Sequence, residues 1–193
     1  MIAPQGPSHV ERLIAEIEEP QSMVLPQARA CLAELVSALR HVSGRIEVLD
    51  REIAARAKRD DTARRLMTIP GIGPMIATAL EALAPTAESF ACGRDFAAWI
   101  GLTPLQRSTG GKERLGRISK MGERTLRRLL VSGASGVVRW ARRKGPPEGS
   151  WLARMLQREP PMVVIVALAN KMARIAWALM AKGGVYRAPV AAA

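Results

Sequence analysis

Between Gly101 and Gly122 the chain reads GLTPLQRSTGGKERLGRISKMG, a tandem hydroxyl pair followed by Gly-Gly, with a cation every few residues. A stretch of this composition handles phosphate. Gly110, Gly111 and Gly116 permit positive φ and let the backbone approach an anion closely, while Arg107, Lys112, Arg114, Arg117 and Lys120 supply the charge that phosphate oxygens attract. Ser108 and Thr109 are then hydroxyls held among cations. That setting suits a nucleophile attacking a phosphodiester, because positive charge stabilises both the alkoxide and the pentacovalent transition state. The same residues also make a plain phosphate contact or an ordinary turn, since Ser, Thr and Gly are common turn formers.

The charge of the whole chain supports an anionic partner. Residues 1–66 carry ten Lys/Arg against ten Asp/Glu, and residues 67–193 carry nineteen against seven, so the formal net charge of +12 lies entirely in the second segment. This is the footprint of a nucleic-acid surface. An anionic membrane would attract it too, but the longest apolar run, Met162–Ala169, is far short of the ~20 residues a span needs. Cys31 and Cys92 form neither a CxxC pair nor a disulfide framework, and His9 and His41 are isolated. Reduced thiols, no zinc site and a cytoplasmic location are therefore expected, and no signal peptide is visible.

The elements that must position the basic stretch read as helices. Hydrophobic content of 48% with only 4% aromatic, rich in Ala and Leu, points to an all-α fold. After a Pro/Gly-rich start, Ser8-x-x-Glu11 is a capping box, and Val10, Leu13, Ile14 and Ile17 share one helical face before Pro20. Pro26 then opens a long helix to about Lys58 or Arg59. Its apolar positions Leu32, Leu35, Leu39, Val42, Ile46, Leu49 and Ile53 are spaced 3, 4, 3, 4, 3, 4, a narrow heptad seam that predicts an arm pairing with another helix of this chain or of a second copy.

Residues Asp61 to Leu83 predict a helix ending near Thr68, a turn Ile69-Pro70-Gly71-Ile72-Gly73, and a helix with Pro74 at its first position. This resembles the helix-hairpin-helix motif, in which Pro70, Gly71, Ile72 and Gly73 would offer backbone N–H groups to a phosphate. A structural αα-turn is the other reading. A short helix over Phe90–Ile100 leads into the basic stretch, read as a loop. A helix over Glu123–Arg143 follows, with Arg124 and Arg128 on its polar faces, and after a loop at 144–150 an apolar core helix runs from Met162 to Lys182. The expected organisation is an arm over 1–60, a helical domain over 61–187 and a tail over 188–193.

The order of these pieces is more specific than any one of them. RRLMTIPGIGPMIATAL, FAAWIGLTPLQRSTGGKERLGRISKMG, LRRLLVSGA and ALANKMARIAWALM occur in sequence, and residues 64–187 resemble the C-terminal domain of the insertion-sequence one-ten family of bacterial transposases, the bridge-RNA-guided recombinases. The resemblance implies DNA transposition. In that family a RuvC-like domain with metal-binding carboxylates precedes a coiled coil and this helical domain, and a serine of the Gly-rich loop bonds covalently to DNA. The nucleophile carries over to Ser108, with Thr109 as the fallback, and Arg107, Lys112, Arg114, Arg117 and Lys120 would position the scissile phosphate. DNA, a structured guide RNA and a second transposase chain are the implied partners. None of the seventeen acidic residues forms a metal-binding cluster. No cofactor is therefore expected in this chain, with magnesium only on a RuvC-like partner, and the sequence reads as the C-terminal part of a truncated or split transposase. A non-catalytic DNA- or RNA-binding regulator that dimerises with intact transposase is the alternative.

Overall fold

The structure, a computed structural model, describes residues 6, 9–22, 24–106, 108, 111 and 115–188. It divides into two units between Glu52 and Ile53, inside the long helix.

The first unit holds α1 (Val10–Glu18) and most of α2 (Pro26–Arg59). Pro26 heads α2, where its missing N–H leaves no helical bond unmade. Ser8, of the expected capping box, lies outside the described residues, and His9 stands at the N-cap of α1 with no side-chain bond. Ile14 and Val36 are buried. Arg40 grips Glu18 with Nη1 2.6 Å from Oε1 and Nη2 3.1 Å from Oε2, and these hydrogen bonds, ahead of their charge attraction, hold the Glu18 carboxyl below its usual range. The seam residues Leu35, Leu39, Val42, Ile46 and Leu49 are all exposed.

The second unit is built on its last helix, α8 (Pro161–Lys182). Helices α3 (Asp61–Leu66), α5 (Gly93–Ile100), α6 (Arg124–Lys144) and α7 (Trp151–Arg158) all pack on α8, and α4 (Pro74–Leu83) packs on α3 and α6. By length and composition α8 could cross a membrane, yet Val164, Ala169, Met172, Ala173 and Ala176 are buried within the protein core. Small residues at 169, 173 and 176 let neighbouring helices approach closely. Phe96 is fully buried and meets Phe90 edge-on at 5.2 Å and Trp99 in a stack at 5.8 Å. Long-range hydrogen bonds finish the packing: Trp177 Nε1 donates to Ala87 O at 3.0 Å, and Asn170 Nδ2 to Leu102 O at 3.1 Å.

Among the described residues helices dominate, as the all-α expectation requires, with a single two-stranded sheet. That sheet replaces part of the expected loop. Strands β1 (Pro104–Gln106) and β2 (Leu115–Ile118) pair antiparallel, Pro104 opposite Ile118 and Gln106 opposite Leu115, which places one extra residue on β2 as a bulge. Three- and four-residue strands are too short for alternation to declare them. Gly116 accordingly lies in a strand, whereas Gly111 does have positive φ, at +78°. Helix α7 was not expected either. Ser150 caps it by accepting from Ala153 N at 3.1 Å.

Candidate nucleic-acid interface

The hairpin is fastened at its root. Ser119 N donates to Thr103 O at 2.9 Å, Lys120 N to Gly101 O at 3.2 Å and Glu123 N to Trp99 O at 3.3 Å. Gly122, at φ +90°, lies so close to Trp99 that a Cβ there would fall 1.8 Å from the Trp99 carbonyl oxygen, so only glycine fits. Two side chains from other helices complete the root: Arg127 Nη1 donates to Ile100 O at 2.7 Å, and Asn170 holds Leu102 O. Neither residue stood out in the sequence. Arg127 is one of several arginines in α6, and nothing but the folded geometry sets it apart.

Beyond this root, Ser108 follows β1, is exposed, and its Oγ lies 3.2 Å from Gln106 Oε1. Arg107, Thr109, Gly110, Lys112 and Arg114 lie outside the described residues. Arg117 on β2, Lys120 after it, and Arg124 and Arg128 on the first turns of α6 are all exposed. Among the described residues the ion pairs are Arg40–Glu18, Arg56–Glu81 and Arg64–Asp61, so these four cations have no acidic partner there. Arg124 and Arg128 also stand one helical turn apart, a like-charged spacing that costs ~0.2–0.5 kcal/mol in isolation. An anion between them removes that repulsion. Glu123, the nearest carboxylate in sequence, is engaged as the α6 cap, accepting from Thr125 N at 2.7 Å; hydrogen bonds from Thr125 hold its carboxyl below the usual range.

The turn after α3 forms as a tight β-turn. Ile72 N donates to Ile69 O at 3.0 Å, with Pro70 second and Gly71 third at φ +90°, the type II arrangement. Ile69 and Ile72 are buried, leaving Pro70 exposed. Ala77 is the first amide to bond back into α4, to Gly73 O at 3.0 Å, so the N–H groups of Met75 and Ile76 head the helix without intrahelical partners. The space beside Gly73 is open. Gly71 has a second role that the sequence did not suggest: it packs against Gly133 of α6, where a Cβ would come 2.2 Å from Gly71 O. The expected site residues thus fall in two groups on one helix. Arg124 and Arg128 join the hairpin root at its start, and the turn contacts it nine residues beyond Arg124, ~14 Å along the axis.

Next to that turn lies a groove of about 1340 Å³ with Gly71, Gly133, Val137, Trp140, Trp151 and Lys171 among its lining residues. Lys171 Nζ sits 4.5 Å above the Trp151 ring. Burial first, then the charges of Arg154 and Arg174, push the Lys171 ammonium below the usual lysine range.

Residues 63–146 match the family model described as transposase IS116/IS110/IS902 family. The chain is 47% identical over 169 residues to a "probable family 20 transposase" of Pseudomonas aeruginosa, covering 88% of this chain and 50% of that protein. It is 37% identical over 183 residues to the transposase for insertion sequence element IS1328 of Yersinia enterocolitica, covering 95% and 54% respectively. With the transposase for insertion sequence element IS1111A of Coxiella burnetii the identity is 35% over 162 residues, covering 84% and 44%. The chain spans about half the length of the curated relatives it matches.

Proposed function

From the match of residues 63–146 to the IS116/IS110/IS902 transposase family and the similarity of the chain to transposases, we propose that it acts in DNA transposition and supplies the serine that cuts and rejoins a strand. The observation that carries this reading is the exposed Ser108, set just beyond a hairpin whose root is pinned to α5, α6 and α8, with Arg117, Lys120, Arg124 and Arg128 exposed on the hairpin and the start of α6 and without acidic partners among the described residues. Ser108 Oγ attacks the phosphorus, a P–O bond to the sugar oxygen breaks, and the hydroxyl proton leaves while the departing oxygen gains one. One phosphodiester is lost and one phosphoserine ester forms, so a free DNA hydroxyl end reverses the step and seals a new junction. Gln106 orients the hydroxyl but, as a neutral amide, does not deprotonate it. Arg117, Lys120, Arg124 and Arg128 neutralise the charge that grows on the phosphoryl oxygens. The Pro70–Gly73 turn and the open start of α4 hold flanking backbone without reading sequence.

Among the described residues no three His, Cys, Asp or Glu side chains gather to hold a metal. Magnesium takes its protein ligands mainly from clustered carboxylates, and the described residues do not offer such a set. We assign metal binding to a RuvC-like partner, with a structured guide RNA as the further partner that directs the complex. A second reading, a non-catalytic DNA- or RNA-binding regulator that dimerises with intact transposase, is favoured by the exposed apolar seam of the arm.

The test mixes this chain with a RuvC-like partner chain, guide RNA and target DNA, then looks for a protein–DNA adduct that survives denaturation. Wild type forms it, Ser108→Ala abolishes it and Thr109→Ala retains it. An adduct that persists in Ser108→Ala moves the nucleophile, first to Thr109. Salt-sensitive DNA binding with no adduct from wild type favours the regulator.

A further inference from the structure

The chain has four tryptophans, and two are accounted for by packing: Trp99 stacks in the phenylalanine cluster and Trp177 bonds the Ala87 carbonyl. The other two line the groove beside the Gly71–Gly133 contact. Trp140 is 53% exposed, and among the described residues it makes no hydrogen bond or ring contact. Gly71, Gly133 and Gly136, which carry no side chain, are among the other lining residues. Two cations face the same space, Arg154 from α7 and Lys171 from α8, neither in an ion pair among the described residues, against a single lining carboxylate, Glu148. At about 1340 Å³ the groove exceeds the ~300–1,000 Å³ of a small-molecule pocket.

From this juxtaposition of an idle tryptophan, glycines in the lining and uncompensated cations, we propose that the groove seats an unpaired DNA strand, with bases stacked on Trp140 and phosphates at Arg154 and Lys171. The inference rests on the DNA reading above and adds to it a place for the strand that leaves the duplex. Flat bases need aromatic faces and unobstructed space, and their backbone needs cations at the rim. An apolar protein helix would cover the apolar lining but leave the cations without counter-charge. Partial burial of Lys171 already disfavours its ammonium, so an anion placed there restores what the surroundings remove.

The experiment compares the full chain with Trp140→Ala and Arg154→Gln, both at exposed positions, for binding of a fluorescent oligo-dT, an oligo-rU and a blunt mixed-sequence duplex by anisotropy at low salt. Trp140→Ala is expected to weaken oligo-dT binding by about 5- to 150-fold, the range that loss of one base stack spans, and to leave duplex affinity within about twofold. Arg154→Gln should follow in the same direction and reduce the salt dependence of oligo-dT binding. Unchanged oligo-dT affinity in both variants overturns the proposal, as does an equal loss on duplex and single strand. Preferential, Trp140-dependent binding of oligo-rU assigns the groove to RNA and overturns it as well. A wild-type chain that binds no duplex sinks the DNA reading itself, whereas duplex binding with no oligo-dT response sinks only the groove.

Discussion

Two glycines one turn apart on α6 predict opposite responses to the same substitution. In a helix, Gly to Ala gains ~1 kcal/mol because alanine loses less backbone entropy. At Gly136 nothing lies within 4 Å of the new Cβ, so Gly136→Ala collects that gain undiminished. At Gly133 the Cβ arrives 2.2 Å from Gly71 O, 2.8 Å from Ile76 Cδ1 and 3.2 Å from Gly71 C. Ile76 can rotate, but the Gly71 carbonyl belongs to a turn anchored by buried Ile69 and Ile72. Reaching ordinary contact requires the turn to recede by roughly 1.2 Å, and overpacking of this kind costs ~1–3 kcal/mol, occasionally more. Net of the helical gain, Gly133→Ala should lose ~0–2 kcal/mol, so it lies below Gly136→Ala by ~1–3 kcal/mol. Urea unfolding followed by circular dichroism measures both against wild type. Because the substitution also displaces the Pro70–Gly73 turn, duplex affinity should fall in Gly133→Ala and hold in Gly136→Ala. Equal stabilisation of the two variants would refute the close contact between turn and helix.

Arg127→Met should loosen the hairpin root, since a charge-assisted hydrogen bond to the Ile100 carbonyl is worth ~1.5–3 kcal/mol; amide exchange is expected to accelerate over 104–118 and stay slow in α8. Hydrogen bonds from Thr125 hold the Glu123 carboxyl below the usual carboxylate range in the folded state, so its stabilising contribution is fully present above that usual range and fades as pH falls through the lower folded value. An acid titration of unfolding should therefore be shallower in Glu123→Gln than in wild type, and identical profiles would remove the cap from the account. Leu39→Asp combined with Ile46→Asp lies on exposed seam positions, 43% and 53% accessible, and should lower the mass in light scattering without changing the unfolding of residues 53–188. A mass unaffected by the double change would show that the seam does not join copies.

What the sequence made legible followed from long-period or strongly punctuated signals. Pro26 and Pro74 mark the starts of α2 and α4, Ile69-Pro70-Gly71-Ile72 folds as the tight turn its residues demand, and the Gly183-Gly184 pair follows the end of α8. The hairpin was missed because its strands are three and four residues long and broken by a bulge, which leaves no period to read. Helix α7 had a usable signal, Ser150 before Trp151, Leu152, Met155 and Leu156, but at eight residues it is too short for periodicity to stand out. At the candidate site, composition singled out Ser108, Arg117, Lys120, Arg124 and Arg128, all of which lie exposed. It did not find Arg127, Asn170 or the Gly71–Gly133 contact, because each is defined by a partner between 27 and 68 positions away.

The dependence of so many early segments on α8 has a consequence for how the protein is made. The Ala87 carbonyl waits for Trp177, Leu102 for Asn170, and buried Leu66 for a helix that ends at Lys182. A ribosome adding ~5–20 residues per second needs roughly 5–20 s to travel from Leu66 to Ala176. Throughout that interval the apolar faces of α3, α5 and α6 have been synthesised without the helix that buries them. A nascent chain stopped before Pro161 exposes those faces permanently, and proteolysis would clear it. Release of the hairpin in its pinned form therefore coincides with completion of the second unit, and a prematurely terminated product carries the hairpin sequence without Asn170, one of the side chains that fasten its root.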